Sequence, residues 1–222
     1  MFIRNRVVAL LFRIIVFLGC LCGLYLTSGL AQGAFKPSLF AYYTIQSNLL
    51  VLVLFAVLIV RTAANPRTRA VQPHLKGAVT MAITVTLLVY HFVLVPQLFA
   101  MSTEYHLFSL QDTLVHYFVP LATIADWLLF DPKGSYRWFD PLAWLVIPIL
   151  YFCFAMLRAH LLGPTVTEDL RYPYFFLNLD ELGWSGVLSN AAWMTACFAV
   201  LGYVIYGIDS LLGKVGAKRA QS

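Results

Sequence analysis

The chain has 222 residues, of which 61% are hydrophobic and only 11% are charged. That balance excludes an ordinary soluble domain, whose polar share is far larger. The formal charge of +5 is explained by Lys and Arg gathered in loops, so it needs no nucleic acid partner.

Six stretches of about 20 mostly apolar residues are long enough to cross ~30 Å of hydrocarbon as helices. They lie near 7–30, 39–60, 77–100, 110–130, 141–162 and 186–209. The expected fold is an all-α integral membrane protein, one bundle of six transmembrane helices over residues 1–222. The first span begins "MFIRNRVVALLF", and Ala31-Gln32-Gly33-Ala34 has a faint look of a signal cleavage site. Its apolar run is too long for a signal core, so the helix is expected to be retained.

The second span opens with a polar cluster, Thr44, Gln46, Ser47 and Asn48. Thr44, Ser47 and Asn48 are spaced i, i+3, i+4 and share one helical face, while Gln46 points elsewhere. Polar groups inside a membrane span are either hydrogen-bonded or used. The third span carries His91 toward its far end. In the fourth, "SLQDTLVHYFVPLATIADWLLF" spaces Asp112, His116 and Pro120 at i, i+4, i+8. Asp112 is expected one turn above His116, where it can hold the ring. Pro120 has no N–H for the His116 carbonyl, so that turn is expected to be kinked or hydrated. Asp126 is expected as an interhelical bond or a boundary anchor. The fifth span ends with Arg158 and His160, and the longest connection, 163–183, carries Arg171. Asn190 stands near the start of the sixth.

Orientation follows from the basic residues. Arg4, Arg6, Arg61, Arg67, Arg69, Lys76, Lys133, Arg137, Lys214, Lys218 and Arg219 all fall on one side; Lys36, Arg158 and Arg171 fall on the other, with Glu104, Glu168, Asp169, Asp180 and Glu181. Both termini are therefore expected in the cytoplasm. On the outer side, at ~1.5 Å per residue, Thr44 is expected roughly 8 Å below the start of its span, with His116 roughly 9 Å and His91 roughly 14 Å deep. A cavity open to the outer surface is the expected consequence. Cys20, Cys22, Cys153 and Cys197 all lie inside spans with no metal-ligand spacing, and packing is their expected role.

The stretches "FAYYTIQSNLLVLVLF", "LVHYFVPLATIADWLLF" and "YPYFFLNLDELGW", in this order across six spans, resemble the bacterial six-span proteins called the Pr-six-Pr family. Those are distant relatives of the eukaryotic androgen-induced and androgen-dependent membrane proteins. The resemblance implies hydrolysis of fatty acid esters of hydroxy fatty acids, with an intramembrane Thr as nucleophile and a His as its partner. By motif position these fall on Thr44 and His116.

The residues themselves support the same chemistry. A threonine hydroxyl needs an adjacent base to attack an ester, and His116, oriented by Asp112, can supply one. Ser47, Asn48 and Asn190 are candidate oxyanion donors, with His91 in support. Arg158 and Arg171 are candidate partners for the carboxylate of a lipid ester entering from the outer leaflet of the bilayer. No metal and no organic cofactor is required by this scheme. Two other classes compete: a haem-binding redox protein ligated by His91 and His116, and a small lipid- or solute-binding transporter. A bacterial cytoplasmic membrane is the expected location.

Overall fold

A computed structural model describes residues 3, 5–64, 72–101, 109–163 and 171–219. Six helices are long and apolar enough to cross a membrane: α1 (Arg6–Thr27), α2 (Tyr43–Ala64), α3 (Pro73–Ala100), α4 (Leu110–Phe130), α5 (Asp140–Leu162) and α6 (Leu179–Gly216). No strand occurs among the described residues. The protein is a multi-pass, all-α membrane bundle. The charges at Arg4, Arg67, Arg69, Glu104, Glu168 and Asp169 lie outside the described residues.

Helices α1, α2, α3 and α4 pack in a closed ring, and α5 and α6 flank α3. In α1, apolar residues occupy every side, so hydrophobicity cannot choose the inner face; size does. Val7, Leu11, Ile15, Leu18 and Tyr25 point outward. Gly19 and Gly23 let α4 approach, since a Cβ on Gly19 would lie 2.3 Å from the Phe118 ring and one on Gly23 2.9 Å from Val115. Below them Val16, Cys20, Val51, Phe55, Ile83 and Val119 form the ring's core.

Boundaries follow local chemistry. Asn5 caps α1, its Oδ1 accepting the N–H groups of Val7 and Val8 at 2.9 and 3.2 Å. Gly29, at φ 80°, turns the chain out of α1. Helix α2 begins four residues later than the hydropathy predicts, because Pro37–Ala41 forms a 3-10 turn first. Asn178 caps the first turn of α6, its Oδ1 accepting from Asp180 and Glu181. Gly183 (φ 63°, ψ 172°) then breaks that turn from the long helix.

Both α3 and α4 carry a single π turn, Tyr90–Leu94 and Leu114–Phe118. Each is followed at once by Val-Pro: Val95-Pro96 and Val119-Pro120. The N–H of the valine reaches back five residues, to Tyr90 and to Leu114. A proline next in line has no N–H to give, so a wide turn is the local solution.

Candidate functional site

A cavity of about 660 Å³ opens at the end of the bundle opposite Asn5, lined by Thr44, Ile45, Tyr90, Gln97, His116 and Tyr174 among others. A narrower apolar chamber of about 120 Å³ continues between α3, α5 and α6, walled by Val85, Val89, Ile149, Phe152, Met194 and Phe198. Thr44, Tyr90, Leu94 and Tyr174 line both. Thr44 thus stands where a wide, partly polar vestibule meets an apolar slot.

The turn before Thr44 is pinned from two sides. The Tyr151 hydroxyl donates to the Ala41 carbonyl at 3.0 Å, and the Gln46 side chain donates to the Phe40 carbonyl at 3.0 Å. Thr44 is consequently the second residue of α2, not a residue more than a turn inside it, and its layer is the mouth of the helix.

The rest of the polar cluster is engaged in packing. The Ser47 hydroxyl bonds that of Thr86 at 2.7 Å and donates to the Thr44 carbonyl at 3.1 Å. The Asn48 amide donates to the same carbonyl at 2.8 Å and to the Val115 carbonyl at 3.1 Å. Ser47 and Asn48 are both fully buried and line neither cavity. The predicted oxyanion donors are therefore helix-to-helix ties, because the proline break leaves α4 a carbonyl that must be satisfied inside the bundle.

Another group meets Thr44. Tyr174, from the segment after α5, lines both cavities together with Thr44. Burial pushes its phenol up to about 12, with the neighbouring Thr44 hydroxyl and the backbone at the start of α2 opposing that rise. The N–H groups of Tyr43 and Thr44 are the first donors of α2, which have no carbonyl partner within the helix. Sequence reading missed Tyr174; the Tyr-rich "YPYFFL" in a connection, where aromatics gain nothing from lipid, is the signal that points to it.

His116 lies on the same cavity, its ring stacked on Tyr90 at 3.6 Å and 5°. Asp112 approaches to 3.5 Å between Oδ1 and Nδ1, yet Nδ1 makes no hydrogen bond among the described residues. The π turn explains the gap: i, i+4 residues superpose on an α-helix but not across a five-residue turn. His91 is exposed, with Nδ1 3.1 Å from the Tyr117 hydroxyl, and lines neither cavity. The structure does not bring it to Thr44 or His116.

Arg158, Arg171 and Asn190 are likewise placed elsewhere. Arg171 pairs with Asp180 and donates Nε to the Ala159 carbonyl at 3.1 Å; Arg158 donates to the Arg171 carbonyl at 3.2 Å. The Asn190 amide donates to the Phe176 carbonyl at 3.1 Å. None of the three lines either cavity. They brace the 171–180 segment that carries Tyr174.

At the opposite end a second polar cluster is buried among α1, α3 and α4. Asp126 accepts from Arg13 Nε at 2.9 Å and pairs with Lys76, which also reaches Asp131 at 2.7 Å. Arg13 donates to the Thr62 hydroxyl at 2.7 Å. Lys76, expected in a loop, is 2% exposed, and Asp126 is 0% exposed. Two cations and two carboxylates balance there. Burial first, and the neighbouring Asp126 with it, raises the Asp131 carboxyl, while Lys76 opposes that rise.

Among the described residues no group of three or more His, Cys, Asp or Glu could hold a metal ion. No protein-family model, no curated protein and no solved structure matches the chain.

Proposed function

We propose that the protein hydrolyses lipid esters, with Thr44 as nucleophile and His116 as base. The observation that carries this reading is the shared cavity: a threonine from α2 and a histidine from α4 line one vestibule, and Thr44 stands where it meets the apolar slot. Gln46, Ser47 and Asn48 each have a structural partner, and Thr44 alone of that cluster faces the cavity.

In this scheme the Thr44 Oγ attacks the ester carbonyl and gives its proton to His116. Nδ1 is turned toward Asp112, which leaves Nε2 to accept it. The oxyanion is met by the N–H groups of the α2 N-terminus and by the Tyr174 O–H, in place of Ser47 and Asn48. The C–O bond to the alcohol breaks, the alcohol leaves with the proton from His116, and water then releases the acid from acyl-Thr44. The apolar slot takes the acyl chain. Asp112 is a positioning residue for His116.

The haem alternative has less support, because His91 is presented away from the cavity that His116 lines. We place both termini in the cytoplasm of a bacterial inner membrane on the Lys and Arg asymmetry. In a cysteine-free background, Ser135→Cys should label only from the cytoplasm and Gln32→Cys only from outside; the reverse pattern would invert the assignment.

The test of the activity is acyl trapping on the purified protein with an activated lipid ester. Mass spectrometry should find the acyl group on Thr44 in wild type and not in Thr44→Val or His116→Ala. Equal ester turnover by Thr44→Val and wild type would refute the nucleophile.

A further inference from the structure

The fixed charge of the vestibule bears on what enters it. Glu181 is the sole Asp, Glu, Lys or Arg among the described residues that line it. None of Lys36, Arg158 and Arg171 lines it. Arg171 is held by Asp180 and the Ala159 carbonyl and lies 5.1 Å over the Tyr172 ring. Arg158 binds the Arg171 carbonyl, and Lys36 is exposed on the turn before α2.

A helix N-terminus could still attract an anion. That of α2, beside Thr44, is assigned above to the ester oxyanion; the first turn of α6 offers no anion site, because Asn178 Oδ1 already accepts from Asp180 and Glu181 and the turn itself carries both carboxylates before Gly183 ends it. Apart from the titratable His116, the remaining polar lining carries no charge: the Tyr172 O–H donates to Asp180 and the Asn178 amide is engaged by Asp180 and Glu181, while Gln97 and the Tyr42 hydroxyl are among its other neutral groups. Such a wall hydrogen-bonds an uncharged head and tolerates a cation through its aromatic faces. A carboxylate here would be repelled by Glu181 in a partly water-excluded space, with no Lys or Arg among the described lining residues to pair with it.

We infer that the site selects lipid esters whose polar end is uncharged or cationic, and disfavours those ending in a free carboxylate. This rests on the hydrolase reading of Thr44 and His116, and it departs from the carboxylate head expected from Arg158 and Arg171.

The experiment compares three oleate esters of one long-chain alcohol, differing only at the far end of the alcohol: a carboxylate, a neutral methyl amide and a trimethylammonium group. Released oleate is measured with the full-length protein in maltoside micelles. Wild type should show kcat/KM for the amide and the ammonium ester at least about tenfold above the carboxylate, a gap that added salt narrows. Glu181→Gln should shrink the ratio by about threefold or more. A carboxylate ester cleaved as well as the others, or a ratio indifferent to Glu181→Gln, overturns the inference.

If no ester is cleaved faster by wild type than by Thr44→Val, the hydrolase reading fails on its own. The head-group preference is then read from equilibrium binding of the three corresponding ethers: the same order upholds it, and a carboxylate ether bound as tightly as the others overturns it.

Discussion

The side-chain amide of Asn48 donates to the backbone carbonyl of Val115, 3.1 Å away across the α2–α4 boundary. In a regular helix that carbonyl would take the Val119 N–H. Here the Val119 N–H goes to Leu114, and the next residue is Pro120. Asn48 supplies the donor that the proline break removes, one residue from His116.

Asn48→Leu should therefore cost about 1–3 kcal/mol, the penalty for a buried carbonyl left unpaired, read as a lower thermal midpoint in detergent. Pro120→Ala returns an N–H to α4. In that background Asn48→Leu should cost less, and equal costs in both backgrounds would show that the bond does not serve the break.

Asp112 should act through orientation. Asp112→Asn is expected to lower kcat by roughly tenfold or more while KM and thermal midpoint stay near wild type, because the imidazole loses its guide rather than the cavity its shape. A change confined to KM would move Asp112 from positioning the base to shaping the vestibule.

The buried charges at the opposite end should behave as a unit. Asp126→Asn leaves Arg13 and Lys76 without the carboxylate between them, and a loss of about 3–5 kcal/mol is expected. Lys76→Met together with Asp131→Leu removes one charge of each sign and should cost less than Lys76→Met alone. A strictly additive result would show that the pair is not coupled.

Lys133, in the connection between α4 and α5, lies 4.2 Å over the Trp127 ring. Burial lowers its ammonium to about 8 from the usual 10.5, against the pull of Asp131 and Asp209. Between those values the unfolded chain holds the proton that the folded one has released, so stability rises with pH there. Relative to Lys133→Gln, wild type should gain stability from about pH 8 to about pH 10.5 and show a constant difference below that window. Parallel denaturation curves at every pH would refute the shift.

The number of spans and their helical nature were readable because each depends on local composition. A run of about 20 apolar residues must become a helix in lipid to satisfy its own backbone. Where that composition changed gradually, boundaries moved. Pro37 directed residues 37–41 into a 3-10 turn, which put Thr44 at the mouth of α2.

Which polar side chain faces a cavity was not readable. On α2, Thr44, Ser47 and Asn48 share a face by spacing, yet only tertiary packing gave Ser47 to Thr86, Asn48 to Val115, and Thr44 to the vestibule. Likewise Lys76 read as a loop cation, and Arg13 inside the first span drew no reading, until α1, α3 and α4 closed around Asp126. Sequence spacing fixes the direction of a side chain relative to its own helix. What it meets depends on how far away, and at what rotation, the neighbouring helix is held, and here the glycines of α1 and the two π turns set that.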